Sequence, residues 1–116
     1  MEENRRDRRH YLMAEVLIRT SPAPADDPVR AVLMNINRGG IGVYSPQPLK
    51  KKTHVVVRIA YREGTKTIAA EDIQGSVCWS HAIGKSWAAG ISFSERVTRK
   101  NYPILNKCFA KAKMNK

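Results

Sequence analysis

The stretch GSVCWSHAIGKSWAAGISFS, residues 75–94, decides the fold class. Apolar and polar residues alternate on both sides of the turn sequence IGKS, which gives each side the two-residue period of a half-buried strand. One face is predicted to carry Ile73, Gly75, Val77 and Trp79 on the first strand, and Trp87, Ala89, Ile91 and Phe93 on the second. Two strands joined by a turn follow from this pattern.

Strand patterns also recur in the rest of the chain. Strands are predicted over residues 12–20, 29–36, 41–45, 53–61, 67–82 and 86–94, with a proline-rich loop at 21–28 and a hairpin turn at 62–66. The sequence NRGG at 37–40 predicts a tight turn, because paired glycines reach positive φ at no steric cost. This regular spacing of strands and turns predicts an antiparallel barrel or sandwich.

The last fifth of the chain changes to a helical period. The residues at that spacing are Val97, Asn101, Ile104, Leu105, Cys108, Phe109 and Ala112. The main helix should begin near Tyr102, because Pro103 suits a first helical turn, and residues 94–101 should form a turn or short helix. We expect the apolar stripe to cover an open end of the barrel; a helix for a membrane surface or a partner is the alternative. One domain is predicted, with an arm at 1–10, a barrel at 11–94, and a helix with a basic tail at 95–116.

The charge of the chain is its unusual property. The 116 residues include 21 Lys and Arg against 10 Asp and Glu, a formal net charge of +11. Residues 95–116 alone carry seven basic residues and one acidic residue, while four arginines lie within residues 5–9. An excess of this size indicates an anionic partner such as a nucleotide, a nucleic acid or an acidic surface.

Several function classes are not supported by the sequence. His10, His54 and His81 are dispersed, and neither a nucleophile elbow nor a phosphate-binding loop motif occurs, so no catalytic residue and no enzyme activity is expected. Cys78 and Cys108 lack metal-site spacing and are expected to be small core residues, so no metal is expected. Neither an apolar run long enough for a membrane span nor a secretory signal pattern is present, and a cytoplasmic location is expected.

Two polar motifs offer binding chemistry. RRDRR at 5–9 contains the pair Arg5 and Arg9, and Arg6 and Arg8 offer neighbouring choices of register. Arginine forks bind phosphate or a guanine edge in bidentate fashion. NINRGG at 35–40 places short polar side chains beside glycines that a ligand can approach closely. A purely structural interpretation, in which the asparagines cap the turn, is the alternative for this second motif.

In this order and at this separation, the two motifs resemble those of the PilZ domain family. Its pattern is R-x-x-x-R near the N-terminus, followed by [DN]-x-S-x-x-G. Arg5 and Arg9 match the first motif, and Asn35 and Gly40 match the ends of the second, while Asn37 replaces the family's serine. The closing segment shares the family's pattern of Gly, Val, Trp, Gly, Gly, Ile and Phe at positions 75, 77, 79, 84, 90, 91 and 93. The resemblance implies a six-stranded antiparallel β-barrel capped by an amphipathic C-terminal helix.

The resemblance also implies a function. A PilZ-type chain is expected to bind cyclic di-GMP (c-di-GMP), to change conformation and to signal to an unidentified downstream protein, with no other cofactor. The implied ligand-binding residues are Arg5, Arg8, Arg9, Asn35, Asn37, Gly39, Gly40 and Trp79. Trp79 has two interpretations, core packing by its alternation and a ligand-side aromatic by the resemblance. The alternative functions are a basic nucleic-acid-binding barrel and a PilZ-like protein that has lost nucleotide binding.

Overall fold

The structure, a computed structural model, describes residues 13–20 and 28–114. Its strands are β1 (Ala14–Thr20), β2 (Val29–Asn37), β3 (Gly40–Ser45), β4 (His54–Glu63), β5 (Lys66–Ala69), β6 (Ile73–Ile83) and β7 (Ser86–Phe93), and its helix is α1 (Pro103–Met114). The strand and helix positions predicted from sequence agree with these bounds to within two or three residues, except over 67–82. The predicted arm at 1–10 and most of the predicted loop at 21–28 lie outside the described residues.

The strands form one antiparallel sheet that closes into a barrel. Neighbouring strands follow the order β1-β2-β3-β7-β6-β4-β5, and β1 also pairs with β4 along its whole length, from Ala14 opposite Tyr61 to Thr20 opposite Val55. This last pairing joins the first and last strands of the series β1-β2-β3-β7-β6-β4. It therefore closes these six strands into a barrel. The predicted six-stranded antiparallel barrel with a C-terminal helix is confirmed.

β5 is an addition to the barrel that the sequence pattern did not predict. Residues 67–82 were expected to form one extended segment, but the strand breaks over residues 70–72, where Ala70 is buried and its N–H donates to the Ile59 carbonyl. β5 therefore forms a short hairpin with β4, across a turn in which Gly64 has a φ of 64°. Among the described strands it pairs with β4 alone.

A single apolar core fills the barrel. Alternate side chains of β1 and β4 point inward, and Val16, Val43, Val57 and Ala89 are completely buried. Cys108 belongs to this core, and burial raises the pKa of its thiol to about 12, so the side chain stays neutral. Cys78 is exposed, so the prediction of a core position was wrong for this second cysteine.

Helix α1 packs its apolar stripe on that core. Leu105, Cys108, Phe109 and Ala112 belong to the same buried cluster as the barrel residues. The helix begins at Pro103, as the sequence predicted, because a first-turn proline loses no intrahelical hydrogen bond. Glu71, in the loop before β6, accepts the free N–H groups of Ile104 and Leu105 at 2.8 Å each, and so fixes the start of the helix on the barrel. With 12 residues, α1 is too short to cross a membrane, and no other helix occurs in the described part of the chain.

Candidate nucleotide-binding face

The turn between β2 and β3 is shaped by Asn37 and two glycines. Asn37 accepts the N–H of Gly39 through its Oδ1 at 2.8 Å, so its side chain caps the turn as the structural interpretation proposed. Its Nδ2 group has no partner within the described residues. Asn37 is half-buried and lies opposite Gly40, which places the last position of the motif directly beside its third.

Gly39 and Gly40 do not supply the positive φ that the sequence pattern predicted for this turn. Positive φ occurs in the described glycines only at Gly64 and Gly84, so the turn at 37–40 does not depend on it. A Cβ at Gly40 would lie closer than 3.0 Å to the backbone oxygen of Ile91 on β7. Gly40 is therefore required by the close approach of β3 to β7. A Cβ at Gly39 would meet only the Asn37 Oδ1, at 3.6 Å, which is ordinary contact.

A row of residues with two glycines at its centre crosses the outer face beside this turn. Asn35 pairs with Gly42, Gly42 with Gly90, and Gly90 with Trp79. Three strand spacings separate the ends of this row, or about 14 Å from Asn35 to Trp79. The Asn35 amide lies over Gly42 and the Trp79 indole lies over Gly90, in space that any Cβ on those glycines would occupy. We call this row, with Asn37 and Gly40 beside it, the motif face.

A β-bulge turns Trp79 onto the motif face. Val77 pairs with Ile91 and Trp79 with Gly90, so Cys78 is an extra residue in β6 and its thiol donates to the Gly90 carbonyl at 3.3 Å. The bulge reverses the alternation, and Trp79 is half-buried outside the core. The core-packing interpretation of Trp79 was therefore wrong. Its ring stacks on His81, with centroids 5.3 Å apart and planes 20° from parallel.

Arg38 links the turn to the helix, a role that the sequence did not reveal. Its Nη1 donates to the Val97 carbonyl at 2.9 Å and to Asn106 Oδ1 at 2.6 Å, and its guanidinium lies 4.4 Å from the centre of the Phe109 ring. Its backbone carbonyl accepts the N–H of Val97 at 2.9 Å. The turn that carries Asn37 is thus tied directly to the segment before α1 and to α1 itself.

The structure brings together part of the predicted site. Asn35, Asn37, Gly39, Gly40 and Trp79 all lie on or beside the motif face. The predicted arginines, Arg5, Arg8 and Arg9, lie outside the described residues. Sequence reasoning missed His81 as the stacking partner of Trp79; its spacing of two residues along one strand was the available signal.

Comparison with known proteins identifies the family. The model of the PilZ domain family matches residues 3–110, so the chain belongs to this family. No curated protein matches the sequence significantly. Among solved structures, the Bacillus subtilis inhibitor of motility MotI (DgrA) is similar, with a TM-score of 0.71, 17% identity, and coverage of 99% of this chain and 54% of that chain. This chain thus spans about half the length of MotI.

A second solved structure has nearly the same extent as this chain. The PilZ domain of YcgR from Escherichia coli, solved with c-di-GMP, has a TM-score of 0.64 and 12% identity. The match covers 96% of this chain and 92% of that domain. At these identities the two likenesses establish the shared fold.

Proposed function

We propose that this chain is a cytoplasmic, non-enzymatic receptor for c-di-GMP that changes shape on binding and signals to a partner protein. The observation that carries the proposal is the motif face, where Asn35, Asn37 and Trp79 lie around the glycines of three paired strands. Membership of the PilZ family supports it, as does the c-di-GMP in the YcgR structure.

The chemistry of the motif face suits a guanine nucleotide. The Asn35 and Asn37 amides carry both donors and acceptors, as recognition of a guanine edge requires. The stacked pair of Trp79 and His81 provides an aromatic edge for a base, and stacking of this kind contributes about 1–3 kcal/mol per base. Gly42 and Gly90 leave the strands between these groups without side chains of their own.

In this proposal the three parts of the chain have different tasks. Residues 1–10 act as an arm whose Arg5, Arg8 and Arg9 bind the phosphates and stack on the bases. Residues 11–94 supply the barrel and the motif face. Residues 95–116 carry the helix and basic tail, and Arg38 would transmit a change at the turn to them. Closure of the arm over the ligand would change the surface presented to the partner.

The test is isothermal titration calorimetry with c-di-GMP, and with a single-stranded oligonucleotide as the competing ligand, at low and moderate salt. Saturable c-di-GMP binding that survives moderate salt is expected. A nucleic-acid-binding barrel would instead bind the oligonucleotide with an affinity that falls steeply with salt, because counterions are released. Absence of c-di-GMP binding under both conditions would contradict the proposal and indicate a PilZ protein that has lost its ligand.

Replacement of Arg9 by alanine is expected to remove most c-di-GMP affinity. Loss of a charge-assisted bidentate contact costs about 1.5–3 kcal/mol, which is a tenfold or greater loss of affinity. Calorimetry measures the affinity, and circular dichroism checks that the barrel remains folded. Lys85→Ala, at the exposed turn between β6 and β7, is the control. An Arg9→Ala protein that binds as tightly as the parent would show that the arm is wrongly assigned.

Two substitutions at Asn37 separate capping from ligand binding. Serine can accept the Gly39 N–H in the same turn and restores the family's residue, so Asn37→Ser is expected to keep or improve the c-di-GMP affinity. Asn37→Ala removes both the cap and a ligand contact, and is expected to weaken binding by about 0.5–1.5 kcal/mol. If Asn37→Ser binds worse than the parent while Asn37→Ala binds equally well, position 37 makes no useful bond to the ligand.

A further inference from the structure

The second half of β6 has a strand partner on one side only. β4 pairs with β6 only as far as Ser76. The loop before β4 extends this contact by one residue, because Lys52 donates to the Val77 carbonyl at 2.7 Å and Val77 donates to the Thr53 carbonyl at 3.0 Å. Residues 78–83 continue the strand and have β7 as their one partner among the described strands. We call the side of residues 78–83 that faces away from β7 the β6 edge.

The backbone along the β6 edge is available to another chain. No backbone hydrogen bond from any other described segment reaches residues 78–83 on that side. Successive residues of a strand direct their N–H and C=O groups to opposite sides, so about half of these groups point away from β7. His81, Ala82 and Ile83 are exposed, so no side-chain packing of the described residues covers this end of the strand. The edge is longer than the whole of β5 and can therefore make more hydrogen bonds to an added strand.

An apolar row lies on the outer face beside this edge. Trp79, His81 and Ile83 alternate along the strand and therefore share one face. Trp79 and His81 stack with their ring centroids 5.3 Å apart, and Ile83 is 46% exposed. A strand added to β6 would place alternate side chains about 5 Å from these three. Alternate apolar residues in the added segment would cover them.

Lysines lie at both ends of the β6 edge. Lys52 lies beside Val77 at one end, and Lys85 lies in the hairpin turn at the other, and both are exposed. Lys50 and Lys51 add two further exposed charges at the first end. Neither the β6–β7 hairpin nor the loop before β4 contains Asp or Glu. An acidic segment is attracted to such an edge, whereas the same edge of a second copy is repelled.

We propose that the β6 edge docks an extended acidic segment of a partner protein, which adds one strand to the sheet beside β6. The segment would alternate acidic residues, which pair with the lysines, and apolar residues, which cover the row of Trp79, His81 and Ile83. This inference rests on the proposed function for its partner protein, but strand addition itself needs no nucleotide. Because Trp79 belongs to both the motif face and this row, a docked segment would lie beside a ligand on that face.

The test uses the full chain without c-di-GMP and a labelled peptide of about eight residues that alternates glutamate and valine. Fluorescence anisotropy measures the affinity. Hydrogen–deuterium exchange locates the peptide, and we expect slower exchange in residues 78–83 and no change in β5. A peptide of the same sequence, N-methylated at every peptide bond, keeps its charge but has no backbone N–H to donate. It should bind about tenfold more weakly or worse.

Two pairs of lysine substitutions with equal change of charge test the electrostatic part. Lys52→Gln with Lys85→Gln should weaken peptide binding about threefold or more. The control, Lys100→Gln with Lys107→Gln, removes two exposed charges near and on α1 and should change the affinity less than about twofold. Circular dichroism checks the fold, and Lys51→Gln replaces Lys52→Gln if the first double variant unfolds.

Several results would overturn the docking site. They are no binding of the peptide, equal binding of the N-methylated peptide, slower exchange in β5 instead of residues 78–83, and equal losses for the two lysine pairs. A dimer in sedimentation experiments that the peptide does not dissociate, with residues 78–83 protected, would assign the edge to a second copy. Separate titration with c-di-GMP keeps the two proposals distinct. Peptide addition without c-di-GMP binding would overturn the receptor function alone, and the reverse result would overturn the β6 edge alone.

Discussion

Replacing Arg38 with alanine should lower the free energy of unfolding by about 3 kcal/mol, since two hydrogen bonds from a charged donor and a cation–π contact are lost together. The side chain is half-buried, and its partners Val97, Asn106 and Phe109 belong to the helical end of the molecule. Urea unfolding followed by circular dichroism measures the change. Removal of the Arg38 side chain also leaves two acceptors, the Val97 carbonyl oxygen and the Asn106 Oδ1, without the hydrogen bonds that it donates.

Two further variants at this end make the result specific. Arg38→Lys keeps the charge but cannot make both bonds from one fixed fork, so it should fall between the parent and Arg38→Ala. Arg99→Ala, at an exposed position in the loop before α1, should change the stability by less than about 0.5 kcal/mol. A loss below that value for Arg38→Ala as well would mean that α1 is held without this arginine.

Gly40→Ala should also destabilise the protein by about 3 kcal/mol, because a methyl group there meets the backbone of β7 rather than a movable side chain. The added Cβ would be closer than 3.0 Å to the Ile91 oxygen, so the strands must separate at a point where Gly40 pairs with Ser92. Urea unfolding measures the change, through the midpoint concentration and the slope of the unfolding free energy against urea concentration.

The neighbouring glycine is a matched control within the same motif. Gly39→Ala puts its methyl group in ordinary contact with the Asn37 side chain at 3.6 Å and requires no change of φ region. It should alter the stability by less than about 1 kcal/mol. If the two alanine variants lose equal stability, a general property of the turn, and not the close approach of β7, would explain why glycine occupies both positions.

The strands and the helix were predictable because their signals are local. Alternation over residues 86–94 and the helical spacing after Tyr102 each indicate one buried face, and the buried residues Ala89, Ile91, Leu105 and Cys108 follow those patterns. Trp79 departs from its pattern because the bulge at Cys78 reverses the faces of β6. A single inserted residue leaves no trace in a strict two-residue count.

The motif face was only partly predictable for a related reason. Asn35, Asn37 and Gly40 are found by local motif matching, but the cause of the glycine at position 40 is a strand 51 residues later in the chain. The two hydrogen-bond partners of Arg38 lie 59 and 68 residues away, and no local pattern indicates them. Long-range pairings of this kind decide which face a strand presents, and they come from the closed barrel as a whole.

The short strand β5 has a consequence for self-association at high concentration. The outer side of β5 has no strand partner among the described strands, so another chain could add a strand there. That edge is only four residues long and begins with exposed Lys66 and Thr67. Such an edge can make few backbone hydrogen bonds, and the positive charge of Lys66 repels the same edge of a second copy. Addition of a strand from another chain at β5 should therefore be disfavoured even at high concentration.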